Sequence, residues 1–578
     1  MRTQKVRPAN GNGKGRTLAT QHSVNSAVKS ICDIMRRSNC AGAMQYVPEL
    51  TWILFLRILD ERETHEGEAA EAVGAEFKPS LEWPYRWQDW AAPNSELREE
   101  MLTRGNVLEF VNGRLLPHLK GLRDRPNSTP RQKVISEILS GVERVRIDTQ
   151  KNLCDVCDKV QNLSADAVDD THIFTLSQVY EGLLLKMGEK ENDGVQFFTP
   201  REIVRAVVGV VAPRIGETVY DPGSGTGGFL AESFGFMAGK NNANIETPDQ
   251  LDELRHDTFF GREKENLIYP IALANLVLHG IDQPNIWHGN TLTGGVAYDG
   301  LFANAPEQFD VVMTNPPFGG KEGKEAQTRF AFKTGATQVL FLQHVIDSLK
   351  PTGRCGMVLD EGVLFRTNET AFVQTKRKLL DECNLYCVVS LPGGVFNAAG
   401  AGVKTNLLFF NKGEPTENIW YYDLSDVKVG KRQPFTLDKF DEFFRLLPDR
   451  SDSERSWTVD FAKRKRQAAD EAEPLKKLAQ AKQQEANRWK GALAELKNAR
   501  SNNVAKVDEA DKRIAKLTKE TRDLASRAQN IEDAVYDLKA VNPNKRPDED
   551  TRTPAELLDI IEQKGREVAE ALATLRSL

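Results

Sequence analysis

The hydrophobic positions of this 578-residue chain change their spacing along the sequence. From residue 23 to residue 168 they recur at helical spacing, and the segment 47–59 carries apolar side chains on nearly every face. A helix that is apolar all round is buried, so this segment is predicted to be the centre of a helical bundle. Between residues 169 and 412, short apolar runs alternate with helical stretches, which favours βαβ units and a parallel sheet.

The pattern predicts four regions. They are a flexible basic tail at 1–22, an N-terminal helical domain at 23–168, an α/β domain with a Rossmann-like sheet at 169–450, and a C-terminal long-helix region at 451–578. The sheet is expected to be complete by Phe410. From Phe461 onward a thin apolar stripe predicts long, coiled-coil-like helices, with a last amphipathic helix at 554–575. Because the stripe is too thin for a globular core, these helices should pack on a partner or as a hairpin.

Composition narrows the class of protein. No run of about 18 apolar residues occurs and the N-terminus lacks an apolar signal core, so we expect a cytoplasmic protein that does not associate with a membrane. The seven cysteines do not form two CxxC pairs, and the helical pattern around Cys154 and Cys157 favours two helix positions over a redox or metal site. No metal is indicated. Trp83, Trp87 and Trp90 are expected to pack the bundle.

Charge is distributed unevenly along the chain. The formal net charge of −6 argues against a protein that wraps nucleic acid over its whole surface. Residues 463–527, however, contain 18 Lys and Arg against 10 Asp and Glu. This basic segment could line nucleic acid, or it could be a solvated helix face with i,i+4 ion pairs, and the sequence favours neither.

Asn315, Pro316, Pro317 and Phe318 directly follow the apolar run 309–314, which is predicted to be a buried parallel strand. In an open α/β sheet, ligands bind at the carboxyl ends of strands, and two prolines there make a rigid loop. The Asn315 side-chain oxygen and the Pro316 carbonyl could each accept a hydrogen bond from an exocyclic –NH2 group, and Phe318 could stack on its ring. The alternative is a turn after a core strand.

A glycine-rich turn follows another predicted strand, which ends at Tyr220. Here Gly223, Gly225, Gly227 and Gly228 allow a tight turn and close approach of a ligand, and the N-terminus of the next helix favours an anion. Asp221, at the strand end, would meet a cationic or hydrogen-bond-donating group. An amino-acid moiety offers both an ammonium for Asp221 and a carboxylate for the backbone N–H groups.

Residues after the next two predicted strands suggest that the ligand also contains a nucleoside. Glu263, after the strand 258–261, can accept hydrogen bonds from both hydroxyls of a ribose, although Glu265 competes for this role and a surface acid is the plain alternative. Asn290, after the strand 285–288, could bond adenine edges. An adenosine that carries an amino acid is S-adenosyl-L-methionine, so the combination predicts a methyltransferase that acts on an amine.

Six segments in this order resemble the modification subunit of type I restriction-modification systems, a family of DNA methyltransferases that methylate adenine N6. The segments are residues 180–184, 195–201, 221–230, 289–292, 315–319 and 402–410. The resemblance covers about residues 25–450. It departs from the pattern at Asn290, where many adenine methyltransferases have an acid.

The resemblance implies a role for each matched residue. The implied roles are a loop that closes over the methionine part of the cofactor (Gln196, Phe197, Phe198, Thr199, Pro200 and Arg201), the glycine loop (Thr226, Gly227 and Gly228), the ribose acid (Glu263) and the catalytic loop (Asn315, Pro316, Pro317 and Phe318). It also implies double-stranded DNA as substrate, with the target adenine flipped out of the duplex. The implied partners are a specificity subunit that chooses the target and a restriction subunit that cleaves, with two modification subunits per specificity subunit.

Two rival functions remain open from the sequence. An Asn-Pro-Pro loop can bind any planar –NH2 group, so a protein glutamine amide is an alternative substrate. The other rival is a non-catalytic assembly subunit, against which the intact cofactor and amine motifs argue. The large helical N-terminal domain and the basic helices favour DNA.

Overall fold

The structure is a computed structural model that describes residues 21–38, 40, 43–162, 199–396, 404–430, 433–498, 504–539, 541–544, 558–559 and 561–568. The predictions for the tail at 1–20, for the segment 180–184 and for Gln196, Phe197 and Phe198 lie outside these residues. Within the described part of the chain, no helix is both long and apolar enough to span a bilayer. The same residues contain no cluster of His, Cys, Asp and Glu that could hold a metal ion.

The N-terminal region is a helical bundle. Its helices are α1 (Gln21–Arg36), α2 (Ala43–Ala72), α3 (Trp87–Trp90), α4 (Glu96–Arg104), α5 (Val107–Phe110), α6 (Leu116–Lys120), α7 (Pro130–Leu139) and α8 (Gln150–Gln161). The middle of α2 is buried on all sides, as its apolar pattern predicts. Cys154 and Cys157 are buried in α8, so their predicted helix positions are confirmed. Trp87 and Trp90 pack inside the bundle, but Trp83 is 73% exposed, so its predicted burial is wrong.

In the described part of the chain, ten strands form one sheet at the centre of the molecule. In chain order they are β1 (Val219–Asp221), β2 (Phe259–Glu263), β3 (Asn285–Asn290), β4 (Gly295–Tyr298), β5 (Phe309–Thr314), β6 (Leu349–Asp360), β7 (Cys383–Ser390), β8 (Thr405–Lys412), β9 (Asn418–Asp423) and β10 (Ser456–Asp460). Their order across the sheet is β10-β9-β7-β8-β6-β5-β1-β2-β3-β4. The five strands from β6 to β3 in this order are parallel.

The prediction of a parallel sheet is therefore correct for the centre, whereas the rest of the sheet is mixed, with only β7 and β9 parallel among the remaining described strand pairs. Strand β8 runs antiparallel to both of its neighbours, and β4 and β10 are antiparallel at the two edges. The prediction that the sheet is complete by Phe410 is also wrong, because β9 and β10 follow it in sequence. Strand β10 begins at Ser456, on the C-terminal side of the predicted domain boundary at residue 450.

Helices cover both faces of the sheet. They are α9 (Arg201–Val211), α10 (Gly228–Ala238), α11 (Pro248–His256), α12 (Ile268–Leu278), α13 (Lys324–Gln327), α14 (Thr337–Ser348), α15 (Glu361–Phe365), α16 (Thr370–Glu382) and α17 (Asp441–Leu446). The core under α9, α10 and α12 is continuous with the core of the N-terminal bundle. The core under α14 and α16 belongs to the opposite face. Each face of the sheet thus joins a different flanking region.

An ion-pair cluster fastens the N-terminal bundle to the sheet domain. Asp282, just after α12, lies 2.9 Å from the Arg62 guanidinium of α2 and 2.8 Å from the Arg131 guanidinium of α7. Burial raises the pKa of Asp282, but the two guanidinium groups outweigh it and hold the pKa below its usual value. Arg62 also donates to the Val277 carbonyl of α12. The bundle is therefore attached to the sheet domain at the C-terminal end of α12.

The C-terminal region is a helical hairpin made of α18 (Phe461–Asn498) and α19 (Val504–Ala534). Of the two arrangements that the sequence left open, the hairpin is present. Its base packs on the sheet domain, because Trp457 and Phe461 share a buried core with Tyr536 and Leu538 and with α14 and α16. Residues 558–559 and 561–568 are helical and exposed, within the predicted last helix.

Candidate functional site

The carboxyl ends of four parallel strands bring the predicted site residues together. Strands β5, β1, β2 and β3 are adjacent in this order, and each ends in a polar residue or is followed by one. These residues are Asn315 after β5, Asp221 in β1, Glu263 in β2 and Asn290 in β3. The chain order reverses between β5 and β1, which is the point in an open α/β sheet where a crevice for ligands forms.

Asn315 presents a buried oxygen that has no hydrogen-bond partner among the described residues. Its side-chain nitrogen donates to the Thr199 hydroxyl at 3.0 Å, so the amide group is held from the side of α9. A buried carbonyl oxygen without a donor is unfavourable by about 1–3 kcal/mol. The Asn315 oxygen can therefore accept a hydrogen bond from an N–H group of a ligand.

The Pro316 carbonyl is held by a residue that the sequence analysis did not single out. Gln338, in the first turn of α14, donates from Nε2 to this carbonyl at 3.3 Å. Its Oε1 accepts from the Asp360 N–H at 2.9 Å, at the end of β6. The available signal was a single amide side chain at the start of the apolar run 339–342.

Phe318 packs against a second aromatic side chain. Its ring is 7% exposed and meets the ring of Phe396 edge to face, with centroids 5.1 Å apart and an interplanar angle of 68°. Phe396 follows β7 and carried no sequence signal beyond being aromatic. The two rings form an apolar wall beside Asn315 and Pro316.

The glycine loop joins β1 to α10 in a conformation that needs glycine. Gly225 and Gly227 have φ of 52° and 79°, in the left-handed region. A Cβ at Gly227 would lie 3.1 Å from Leu276 of α12, so the loop also sits tightly on that helix. Asn275 of α12 donates to the Thr226 carbonyl at 2.9 Å. Helix α12 therefore positions the loop.

Asp221 is buried at the start of this loop. Its Oδ1 accepts from the Gly223 N–H at 3.0 Å. Burial raises the pKa of Asp221 to about 7, because the ionised form loses water without gaining a cationic partner among the described residues. A ligand that brings a positive charge would restore the ionised carboxylate.

Glu263 links the glycine loop to the end of β2. Its two carboxylate oxygens accept from the Gly225 N–H at 2.9 Å and from the Glu265 N–H at 2.8 Å. Burial raises the pKa of Glu263 to about 7. The Lys264 N–H also stabilises the ionised carboxylate. A carboxylate has about four acceptor positions, so at least one remains for a ribose hydroxyl. The competing candidate, Glu265, has a side chain that is 42% exposed, 3.6 Å from Lys264.

Asn290 is placed beside the other candidates but uses its side-chain oxygen within its own turn. This oxygen accepts from the Leu292 N–H at 2.9 Å and the Thr293 N–H at 3.2 Å. Only the Asn290 side-chain nitrogen would therefore be available to donate a hydrogen bond to adenine. The neighbouring Thr291 donates to the Pro222 carbonyl at 2.7 Å and so ties the end of β3 to the start of the glycine loop.

The loop predicted to close over the cofactor is described only from Thr199 onward. Pro200 precedes the first residue of α9, and its carbonyl accepts from the N–H groups of Ile203 and Val204 at 3.0 and 3.1 Å. Arg201 begins the helix and is partly buried. The contact of Thr199 with Asn315 shows that the residues before α9 reach the loop that follows β5.

A sheet of this order, with a glycine loop after its first strand, a buried acid at the end of its second and an amide oxygen after β5, is typical of methyltransferases that act on amines. Comparisons with known proteins specify the family. The N-6 DNA Methylase family profile matches residues 171–486, and the HsdM N-terminal domain profile matches residues 24–160. The chain belongs to the N-6 DNA methylase family, as a modification subunit of the type I restriction-modification kind.

Named relatives agree with this family. The type I restriction enzyme EcoEI methylase subunit of Escherichia coli is 36% identical over 408 residues, which cover 69% of this chain and 77% of the relative. The EcoKI methylase subunit of Escherichia coli K12 is 30% identical over 434 residues, with 72% and 74% covered. The family assignment selects adenine N6 in DNA over a protein glutamine amide, and it selects an enzyme over a non-catalytic assembly subunit.

Two solved structures share the fold. A modification subunit of a putative type I restriction enzyme from Vibrio vulnificus YJ016 superposes with a TM-score of 0.66 at 31% identity, covering 77% of this chain and 93% of that one. A chain from a study of complex assembly and conformational transition of the type I R-M system superposes with a TM-score of 0.62 at 34% identity. That match covers 96% of this chain and 98% of the other. The enzyme is an adenine-specific DNA methyltransferase.

Proposed function

We propose that this subunit transfers a methyl group from S-adenosyl-L-methionine to N6 of an adenine that is flipped out of double-stranded DNA, with the target chosen by a specificity subunit. The observation that carries the proposal is the buried Asn315 oxygen, which has no donor among the described residues and whose amide is fixed by Thr199. An adenine amine would supply that donor. The Pro316 carbonyl would accept its second N–H.

The residues at the strand ends fit the cofactor. Glu263 keeps an acceptor position for a ribose hydroxyl beside its backbone N–H contacts. Asp221 is a buried carboxylate that has no cationic partner among the described residues and could take the ammonium. The N–H groups of the glycine loop suit the carboxylate, and Asn290 lies where an adenine edge is expected. When bound, S-adenosyl-L-methionine supplies a methyl group on a positively charged sulfur, which is already a strong electrophile.

We further propose that the six residues from Gln196 to Arg201 close over the methionine part of the cofactor. The position of Thr199 supports this, because its hydroxyl joins the start of α9 to the catalytic loop. A shift of this segment would therefore move the Asn315 amide as well. Loop closure and amine binding would then occur together.

The protein contributes mainly orientation and electrostatic stabilisation to the reaction. Fixing the amine in line for attack can be worth about 7–11 kcal/mol. Positive charge develops on the amine nitrogen as it attacks, and hydrogen bonds from its hydrogens to the Asn315 and Pro316 oxygens would stabilise that charge. Flipping the base costs a few kcal/mol, which stacking on Phe318, next to Phe396, would offset.

The named relatives support further partners. They are methylase subunits of type I restriction enzymes, and one structural match comes from a study of type I complex assembly. We propose that this chain assembles in the cytoplasm as two modification subunits per specificity subunit, together with a restriction subunit. The basic hairpin of α18 and α19 extends from the sheet edge and is available for the specificity subunit or DNA.

The proposal is tested by replacing Asn315 with Ala in the assembled complex. Loss of the oriented acceptor should reduce methyl transfer at least about 100-fold, by analogy with the loss of one oriented hydrogen-bonding group from other active sites. Cofactor affinity, measured by calorimetry, should stay nearly unchanged because Asn315 faces the amine. Methylation is measured by single-turnover transfer of labelled methyl groups to DNA.

Asn411→Ala is a matched control. Asn411 also has a buried side-chain oxygen with no partner among the described residues, but it lies on β8, paired with Arg354 of β6 and away from the strand ends of the site. The control should methylate DNA at the wild-type rate. A rate for Asn315→Ala that matches this control would show that the amine is not held by Asn315.

A further inference from the structure

We infer that Gln338 is a positioning residue for methyl transfer, which fixes the Pro316 carbonyl as the second acceptor for the target amine. The inference rests on the proposed function of Asn315 and Pro316. Gln338 is 2% exposed and lies in the first turn of α14, so its amide group has no access to water as an alternative partner. No part of the sequence pattern assigns it a role.

The orientation of the Gln338 amide is determined by its two partners. The Pro316 carbonyl can only accept a hydrogen bond and the Asp360 backbone N–H can only donate one. The nitrogen must therefore face Pro316, at 3.3 Å, and the oxygen must face Asp360, at 2.9 Å. With the amide reversed, both contacts would become repulsive.

This single side chain joins two strand ends. Pro316 lies in the loop after β5, and Asp360 is the last residue of β6, the parallel neighbour of β5. Asp360 itself is fixed, because its side chain accepts from the Val363 N–H at 3.0 Å at the start of α15. The Pro316 carbonyl is thus oriented against a rigid part of the sheet rather than by the loop alone.

The contact leaves the carbonyl free to bind the amine. A carbonyl oxygen accepts two hydrogen bonds, so the bond from Gln338 occupies one direction and leaves one for the target N–H. Asn315 is held in the corresponding way, since its amide nitrogen donates to the Thr199 hydroxyl and its oxygen has no partner among the described residues. One acceptor is positioned from α9 on one face of the sheet and the other from α14 on the opposite face.

Gln343 provides a matched control in the same helix. It is 1% exposed and, like Gln338, makes two amide bonds to the backbone, in its case to the N–H and the carbonyl of Phe332, both at 3.0 Å. It does not bond Pro316. Replacing either glutamine with Met removes a buried amide and two hydrogen bonds, so both variants should lose similar stability.

The experiment compares Gln338→Met and Gln343→Met in the assembled complex. With saturating cofactor and DNA, the single-turnover rate of Gln338→Met should fall about tenfold to 100-fold, because an acceptor in the transition state is no longer oriented. The rate of Gln343→Met should stay within about threefold of wild type. Cofactor dissociation constants should be unchanged in both, and melting temperatures should fall by similar amounts.

A third variant tests the hydrogen bond itself. In Gln338→Glu, the protonated carboxyl can donate to the Pro316 carbonyl and accept from the Asp360 N–H, whereas the ionised carboxylate can only accept. The rate of this variant relative to wild type should therefore rise as the pH falls, and burial should place this transition above the usual pKa of a glutamate. A role in packing alone would not produce this pH profile.

Two outcomes would overturn the inference. The first is a single-turnover rate of Gln338→Met within about threefold of wild type. The second is an equal loss of rate in Gln338→Met and Gln343→Met that accompanies equal losses of melting temperature. The Asn315→Ala result separates this failure from failure of the proposed function. If Asn315→Ala is inactive and Gln338→Met is fully active, only the positioning role of Gln338 is refuted. If Asn315→Ala is active, the proposed function is refuted as well.

Discussion

Removal of the C-terminal region should unfold the methyltransferase domain rather than release it. A deletion after Ser451 removes β10, which pairs with β9 along its whole length, and removes both helices of the hairpin. It also exposes the outer edge of β9, which contains Ile419 and Tyr421. Unpaired, apolar strand edges promote aggregation.

The magnitude follows from the side chains that the deleted segment buries. Five of them belong to the core on the α14 and α16 face, with exposures between 1% and 7%: Trp457, Phe461, Val535, Tyr536 and Leu538. At about 1.5–3 kcal/mol for each buried large side chain, they contribute about 7–15 kcal/mol. This equals the whole stability of a typical domain, about 5–15 kcal/mol.

A shorter deletion separates packing from partner contacts. Replacing residues 480–526 with a short Gly/Ser loop keeps the buried base of the hairpin and the ion pair between Lys476 and Glu532, where the helices run side by side. It removes 11 Lys and Arg against 7 Asp and Glu. This variant should fold and bind cofactor with wild-type affinity.

The assays are thermal unfolding, cofactor calorimetry and the salt dependence of DNA binding by the assembled complex. If the hairpin binds DNA, the slope of log K against log[salt] should flatten by about 0.9 for each phosphate that the shortened hairpin no longer neutralises. An unchanged slope together with impaired assembly would indicate docking on the specificity subunit, and unchanged slope and assembly would indicate a solvated helix face. A truncation after Ser451 that folds with wild-type melting temperature would refute the packing argument.

Two further predictions concern buried charges. Burial raises the pKa of Glu263 from 4.5 to about 7, so between these pH values the folded state holds a proton that the unfolded state has released. The cofactor-free protein should therefore lose stability as the pH rises from about 4.5 to about 7, and thermal unfolding of Glu263→Gln across this range should show a smaller loss. Asp282→Asn removes one of the two carboxylates that Arg62 and Arg131 share, the other being Glu66, and should lower the free energy of unfolding by about 1.5–3 kcal/mol in denaturant titrations. Glu100→Gln, in an exposed i,i+4 pair, should change it by less than about 0.5 kcal/mol, and equal effects of these two variants would contradict the reasoning.

The candidate site was largely predictable because its signals are local. The strand before Asn315 has the predicted bounds, Phe309–Thr314, since a run of apolar residues followed by two prolines defines both a buried strand and its end. The glycines after Asp221 likewise encode a turn that only residues with access to positive φ can form. Parallel order then places both strand ends at one edge of the sheet.

The tertiary structure determined the contacts between distant parts of the chain. Thr199 meets Asn315 across 116 positions, and Gln338 meets Pro316 across 22. Neither pairing has a periodicity or a spacing that a sequence pattern could show, because side-chain partners are set by how helices pack on the two faces of the sheet. The packing of β10 and of the hairpin base on the sheet domain was missed for the same reason. A short edge strand and a few aromatic residues show no pattern in the sequence, and their burial depends on the surface of the folded domain that they cover.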